Sequence, residues 1–328
     1  MTVAGILAEF PKLRVLVVGD VCLDRWCRYD PALADPSRET GIPRVGVVAT
    51  EVTPGAAGTV ASNAAALEAR VAVLGLVGTD GFGYELGRAL ETRGIASHLL
   101  VHADGVPTFT YTKLINAQTG QEDLPRIDFV NIRPLPEELD LELVRRLKEA
   151  APDCDVILVS DQAETDSGGV VTPAMRAALA GIAAAHPRMV VWVDSRMRTE
   201  HFRGVIAKPN QREAEAACLR ALGRIDYEEL RLLTESPLLV ITYGGAGALV
   251  IDQRGSTLVE TSTVENPVDI CGAGDSFSAG AALTLKVTGD TIAAARFGNL
   301  VASITIMKQG TGTASPEEVL AASRAGAF

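Results

Sequence analysis

Asn266-Pro267-Val268-Asp269-Ile270-Cys271-Gly272-Ala273-Gly274-Asp275-Ser276-Phe277 is the stretch on which the reading of this chain turns. A Gly-Ala-Gly turn opens directly into a long apolar segment, which predicts a helix over residues 275–287. The first turn of a helix leaves backbone N–H groups unpaired and carries the positive end of the helix dipole. Gly272, Ala273 and Gly274 would therefore form a nest for an anion. Asp275 follows at the helix start, where its carboxylate can face the same place. A carboxylate beside an anion hole suits phosphoryl transfer to an alcohol: the base accepts the hydroxyl proton while backbone dipoles hold the charge of the moving group. The same residues also describe a plain N-cap after a glycine turn, and locally the two readings weigh equally.

Outward from this stretch, short β-branched runs alternate with longer amphipathic ones. Strands are expected at 15–18, 71–77, 156–159, 189–193 and 238–242. Helices are expected at 59–69, 83–93, 137–150, 173–185, 211–222 and 227–233, and again at 291–307 and 316–325. Uniformly apolar strands between helices indicate an α/β fold with a mostly parallel sheet covered on both faces. Residues 40–52 and 107–130 break the rhythm: they are rich in Val, Thr, Ile and Tyr, and neither runs straight into a helix. They read as antiparallel strands of a small β lid, or alternatively as two long loops. No repeat or linker marks a second domain, so residues 1–328 are expected to form one.

Composition narrows the function. The 328 residues carry a net charge of −11, with 47% hydrophobic and 22% charged residues, as in an ordinary globular protein. No Lys/Arg cluster offers a nucleic-acid face, and no apolar run approaches a membrane span. Five cysteines without a CxxC pair argue against a disulfide framework or a zinc ribbon and fit the cytoplasm. The N-terminus lacks the basic start and apolar run of a signal peptide. Fingerprints for P-loops, dinucleotide folds, zinc proteases and serine hydrolases are missing. With residues 97–101 read as a strand, His98 and His102 would stand about 13 Å apart, too far to share a metal.

Taken together, the motifs resemble the PfkB/ribokinase family of carbohydrate kinases, whose signature is commonly written DTxGAGD. Residues 15–24, VLVVGDVCLD, resemble the family's first strand and its sugar-binding aspartate, here Asp24. Residues 54–63, PGAAGTVASN, resemble the first family signature, with Gly55 and Asn63. KPNQRE at 208–213 carries the Asn-x-x-Glu motif at Asn210 and Glu213. TYGGAG at 242–247 resembles the nucleotide loop, with Thr242, Gly244, Gly245 and Gly247, and Asn299 falls at the adenine-side position. Within the family the likeness is nearest to the D-glycero-heptose 7-phosphate kinase branch, on GDVCLDRW, PRIDFV at 125–130 and VDSRMRTEHFRG at 193–204.

The resemblance implies a ribokinase-like three-layer α/β/α fold and transfer of the ATP γ-phosphoryl group to a sugar or sugar phosphate. It makes Asp275 the base, Gly272–Gly274 the anion hole, and Asn210 with Glu213 the organisers of Mg²⁺ through water. Asp24, Gly55, Asn63, Arg126, Asp128 and Asp161 would meet the acceptor, and Arg126 could grip a phosphate bidentately. K⁺ would lie beside the anion hole, near Asp269 and the 308–313 turn, and a homodimer would form through the lid. On the residues alone, Asn210 and Glu213 read first as a helix N-cap, whereas helix-surface polarity accounts equally well for Asn63, a glycine-rich hairpin for Gly244–Gly247, and a surface pair for Arg126 with Asp128.

Departures point at the acceptor. Ala56 and Thr59 replace the second Gly and the Asn expected after Gly55. After Asp161 the chain reads Gln162-Ala163-Glu164-Thr165-Asp166-Ser167, where heptose kinases carry a Tyr and a Lys, and Ser195-Arg196 stands for Pro-Lys. No nucleotidyltransferase domain is expected after residue 328. The alternatives are a kinase for a ketohexose phosphate or nucleoside, with Phe109 and Tyr111 as candidate stacking residues, and a catalytically silent sugar or nucleotide sensor.

Overall fold

The computed structural model of the chain describes residues 1–165, 167, 169–262 and 264–324. Its strands, in chain order, are β1 (Arg14–Gly19), β2 (Val21–Tyr29), β3 (Val47–Ala56), β4 (Arg70–Leu74), β5 (Leu76–Gly78), β6 (Val101–Ala103), β7 (Thr110–Asn116), β8 (Ile127–Phe129), β9 (Val156–Asp161), β10 (Val190–Ser195), β11 (Ile206–Ala207), β12 (Leu238–Thr242), β13 (Ala248–Asp252) and β14 (Gly255–Val259). The helices are α1 (Val3–Leu7), α2 (Ala57–Ala66), α3 (Gly81–Thr92), α4 (Glu137–Ala150), α5 (Pro173–Ala185), α6 (Gln211–Leu222), α7 (Tyr227–Leu233), α8 (Ala273–Thr288), α9 (Thr291–Thr305) and α10 (Pro316–Ala322).

Eight strands form the central sheet in the order β14-β13-β12-β11-β10-β9-β1-β4. Pairing is parallel from β12 to β4, and β13 and β14 finish one edge antiparallel. Because successive side chains point to opposite faces, each apolar strand feeds two cores. Val15, Val17, Leu158 and Trp192 pack with Phe277, Phe297 and Leu300 of α8 and α9. Leu16, Val18, Ile157 and Val193 pack with Leu143 and Leu147 of α4 and Met175 and Leu179 of α5. The result is the three-layer α/β/α arrangement, with ligand space at the carboxyl ends of the parallel strands.

A second sheet, β3-β2-β7-β8, is the lid. Its layout corrects the sequence reading in several places. The 107–130 segment yields two strands, β7 and β8, whereas the 40–52 segment contributes only the start of β3. That strand runs on to Ala56 and passes directly into α2. Strand β2 was not expected, and Asp24 lies within it, in the lid. The 71–77 run breaks at Gly75 into β4 and β5, and only glycine fits at the break, since a Cβ there would lie 2.6 Å from Val21 Cγ2. His98 and Leu99 form a turn, so residues 97–101 are not a strand. Helices α9 and α10 end at Thr305 and Ala322, short of 307 and 325, and Ala325 lies outside the described residues.

The chain leaves the central sheet for the lid through Gly19 and Asp20. Gly19 sits at φ +148, and a Cβ there would lie 2.1 Å from the Ser160 carbonyl oxygen, a backbone atom that cannot turn aside. Gly19→Ala should therefore cost at least about 2 kcal/mol through overpacking and strain, read as a lower urea midpoint. An unchanged midpoint would show that the β1–β9 backbone gives way there.

Candidate active site

Two cavities meet at the start of α8. One, of about 370 Å³, lies under the lid and is lined by Asp24, Tyr111, Lys113, Arg126 and Asp128 among others. The other, of about 660 Å³, lies along the sheet edge, with Asp194, Lys208, Asn210, Glu213 and the 242–247 loop in its wall. Gln162, Arg196, Gly272 and Asp275 line both. Gly272 takes a left-handed conformation, φ +78, which turns the chain into α8 and presents the first-turn amides to this junction. Burial pushes the Asp275 carboxyl up to about 7; the Asp194 charge adds to this, and Lys208 and Arg196 pull it back.

On the lid side, Asp24 is pushed up to about 6 by burial, against the pull of Lys113 and Arg126. Gly55 lies behind it and lines neither cavity. A Cβ there would lie 2.6 Å from Asp24 Oδ2, so glycine leaves the carboxylate its room. Arg126 does not present a free fork. Its Nε and Nη2 donate to the two Asp128 carboxylate oxygens at 2.7 Å each, and its guanidinium lies over the Tyr111 ring. Thr59 and Ala56, the two departures from the family signature, do line the lid-side cavity.

Besides Gly55, three sequence candidates lie away from the walls of these two cavities. Asn63 is buried within α2, not on its surface, and its Nδ2 donates to the Thr59 carbonyl at 3.0 Å. Asp161 ends β9 and accepts from Ser195 Oγ at 2.6 Å and Arg198 Nη1 at 3.2 Å. Arg198 in turn donates to the carbonyls of Ala163 and Thr165, so Asp161 braces the cavity wall from behind. Asp166 lies outside the described residues. Asp269 accepts from the amides of Cys271 at 2.9 Å and Gly310 at 3.1 Å, tying the glycine turn to the 308–313 segment. In that segment Lys308 Nζ donates to the Thr313 carbonyl and pairs with Glu318.

On the sheet-edge side, Asn210 and Glu213 form a reciprocal capping box. Asn210 Oδ1 accepts from the Glu213 amide at 3.0 Å and Glu213 Oε2 from the Asn210 amide at 2.7 Å. Both still line the cavity, and burial together with the Asp194 charge raises the Glu213 pKa. Gly244, Gly245 and Gly247 form the tight link between antiparallel β12 and β13, beside Thr242. Gly247 sits at φ +96, where a Cβ would strike the Val259 carbonyl at 2.1 Å. Asn299 also lines the cavity, while its Nδ2 donates to that same carbonyl at 3.2 Å. No cluster of three or more His, Cys, Asp or Glu that could hold a metal occurs among the described residues.

The sequence reading missed Asp194 and Lys208, a buried pair with Lys208 Nζ 2.5 Å from Asp194 Oδ2. Their signal was position: both stand at the carboxyl ends of parallel strands, where this class of sheet binds ligands. Lys113, over the Trp26 ring at 4.2 Å, was missed as well.

Comparison with known proteins places this geometry. The family model described as pfkB family carbohydrate kinase matches residues 12–318. A Trichlorobacter lovleyi protein named bifunctional protein HldE is 29% identical over 98% of this chain and 65% of its own length. The Azorhizobium caulinodans protein of the same name is 32% identical over 96% of this chain and 65% of its own. The chain thus spans about two thirds of these relatives. Among solved structures, Arabidopsis thaliana ribokinase complexed with ribose and ATP superposes with a TM-score of 0.69 at 17% identity, covering 94% of this chain and 98% of that one. Escherichia coli phosphofructokinase-2 in complex with potassium gives 0.69 at 18% identity, covering 95% and 99%. These last two establish the fold.

The raised Asp275 carboxyl has a consequence for stability. Unfolded, it ionises near its ordinary 3.8; folded, near 7. Between these values the folded form keeps a proton that the unfolded form releases, so this group makes the fold less stable as pH rises through that window. Asp275→Asn should therefore melt higher than the wild type at pH 8, with the gain shrinking toward pH 5. A gain equal at both pH values would show that this carboxyl is not the source.

Proposed function

Since the chain belongs to the pfkB family of carbohydrate kinases, we propose that it moves the γ-phosphoryl group of ATP to a hydroxyl of a sugar or sugar phosphate. The observation that carries this is Asp275, whose residue lines both cavities and so stands between a donor and an acceptor. ATP occupies the sheet-edge cavity, whose glycine link lets backbone approach the nucleotide, and the sugar occupies the lid-side cavity. Asp24 accepts hydrogen bonds from sugar hydroxyls. Asp275 takes the proton of the attacking hydroxyl while the Gly272–Gly274 amides face the phosphoryl oxygens. The lid keeps water, a competing acceptor, out of the junction.

Mg²⁺ suits the hard oxygens of this wall: Glu213 keeps Oε1 outside its capping bond and could hold a hydrated ion with Asn210 and the phosphates. When bound, it supplies charge neutralisation on those phosphates. For K⁺, each Asp269 carboxylate oxygen accepts one backbone amide and keeps a lone pair, so this group could still meet a cation beside the 308–313 turn.

For the acceptor, D-glycero-heptose 7-phosphate is the first choice, on the resemblance at 125–130 and 193–204. A nucleoside ranks lower because Arg126 already covers the Tyr111 ring. The reading places the enzyme in the cytoplasm, with its ATP supply. Among the described residues no helix is long and apolar enough to cross a membrane.

The lid also supports a homodimer. Val47, Val48 and Phe129 leave apolar surface on its outer strands, Val48 being 55% exposed. Val48→Glu should convert dimer to monomer by light scattering, and a wild type that is already monomeric at assay concentration would end this reading.

The kinase is tested by ATP consumption with Mg²⁺ and K⁺ against sugars, phosphosugars and nucleosides. Asp275→Asn should lower kcat about 10²- to 10⁴-fold. Only the carboxylate accepts a proton, so kcat/KM should rise with pH through a limb near 7, as the Asp275 carboxyl ionises. A limb below pH 5, or full turnover by the Asn variant, would remove Asp275 from the base role.

A further inference from the structure

We propose that Asp20 is a positioning residue for the acceptor: its carboxylate fixes the part of the lid-side cavity wall formed by Gln162, Ala163 and Glu164, and so sets how tightly the acceptor is held. This assignment deepens the kinase reading above and rests on it. Asp20 lines neither cavity; it stands 3% exposed at the crossover from the central sheet to the lid. Its main chain already joins neighbouring elements there. The Asp20 amide donates to the Ser160 carbonyl of β9 at 3.0 Å, and its carbonyl accepts the amide of Ala57, at the start of α2, also at 3.0 Å. The side chain then reaches across to the chain beyond β9. Oδ2 accepts the amides of Gln162 at 2.9 Å and Ala163 at 2.8 Å, and Oδ1 accepts the amide of Val170 at 2.9 Å. Gln162 and Ala163, just after β9, and Val170, shortly before α5, are thus drawn onto one carboxylate. Gly169 lets the returning chain come this close, since a Cβ there would lie 2.6 Å from Ala163 Cβ and 3.1 Å from Asp20 Oδ1.

Gln162, Ala163 and Val170 belong to no helix, and none of them pairs in a sheet, so their N–H groups depend on a side chain for a partner. Three donors that converge on one buried point call for a carboxylate, which only accepts. Asn offers a single oxygen, and its NH₂ would face one of the amides. Burial pushes the Asp20 carboxyl above its ordinary value, and the three amides pull it back. Ala163 is also held at its other end, because its carbonyl accepts Arg198 Nη1 at 3.0 Å. A residue gripped at both amide and carbonyl has little freedom, and Ala163 lines the lid-side cavity between Gln162 and Glu164. Ala56 and Thr59, which line it too, flank the Ala57 amide that the Asp20 carbonyl holds. One residue that never meets the acceptor therefore sets the relation between two parts of the wall around it. A wall displaced by about 1 Å weakens contacts made before and during transfer alike, which raises KM and leaves kcat.

The test is steady-state kinetics with ATP and, as acceptor, D-glycero-heptose 7-phosphate or fructose 6-phosphate, whichever the wild type phosphorylates faster. Asp20→Asn gives up the bond to one amide and should raise the acceptor KM about tenfold, with kcat and the ATP KM held within about twofold. Of this wall only Gln162 also reaches the sheet-edge cavity. Asp20→Ala gives up all three bonds and should raise the acceptor KM further, and hydrogen exchange at the amides of Gln162, Ala163 and Val170 should quicken in the same order. A merely structural role would lower the melting temperature and kcat without separating the two KM values. If Asp20→Ala fails to fold, the isosteric Asp20→Asn carries the comparison alone. An unchanged acceptor KM, or acceptor and ATP KM values that rise together, would overturn the role of Asp20 and leave the kinase standing. A wild type that phosphorylates no acceptor of the panel above would overturn both.

Discussion

A helix can offer its first-turn amides to two cavities only if its start is fixed, and here the fixing is done by close backbone packing against the following helix. A Cβ on Gly280 of α8 would lie 2.8 Å from Val301 Cγ2, and one on Gly298 of α9 would lie 2.8 Å from the Phe277 ring. Glycine at both positions lets the helices approach more closely than side chains allow. Phe277 and Ser276, which immediately follow Asp275, are both engaged with α9, the second through a 2.8 Å bond between Ser276 Oγ and Thr305 Oγ1. The direction of the Asp275 carboxylate is thus set by packing one turn away, and the lid, the loops and the strand ends are arranged around it.

That placement creates an electrostatic problem. Asp24, Asp194, Glu213 and Asp275 converge on a junction in a chain that already carries a net charge of −11. An anionic nucleotide approaches against this field, which salt weakens at long range and which local donors must reverse at contact. The Asp275 carboxyl, raised to about 7, relieves part of the repulsion whenever it holds its proton, because a protonated acid adds no charge. Lys208 and Arg196, which line the same cavity, supply positive charge beside it. The site is therefore strained in charge before anything binds, and a metal-bound phosphate chain with its own cation fits that imbalance better than a bare anion.

Much of this was legible because it is local. The glycine turn, the helix after it and the apolar strand runs are properties of neighbouring residues, and helices such as 137–150 and 173–185 have the bounds that their periodicity predicts. What stayed hidden depends on residues far apart in the chain. Asp24 reads as the end of the first-strand segment until Gly19 is seen to pass β1 straight into a lid strand. Asn63 reads as surface polarity, yet α2 is buried along most of its length by α8, which the sequence places more than two hundred residues later. Asp194 lies in β10 and Lys208 directly follows β11, so no spacing rule links them, and only the parallel register of the two strands brings them together.

The acceptor side turns on Arg126. Its fork is filled by Asp128, and Arg196 is likewise paired with Glu164. A neutral sugar leaves these pairs standing and needs only hydroxyl contacts to Asp24 and its neighbours. A phosphosugar must take the Arg126 fork from Asp128, exchanging one bidentate oxyanion for another of higher charge. The exchange demands little rearrangement of the arginine, because the Tyr111 face already holds the guanidinium plane. The cost falls on Asp128, which is partly exposed and can turn to water. On the reading proposed above, the Arg126–Asp128 pair would be a phosphate-shaped fork filled by a displaceable carboxylate, and the charge of the acceptor would decide whether the pair opens.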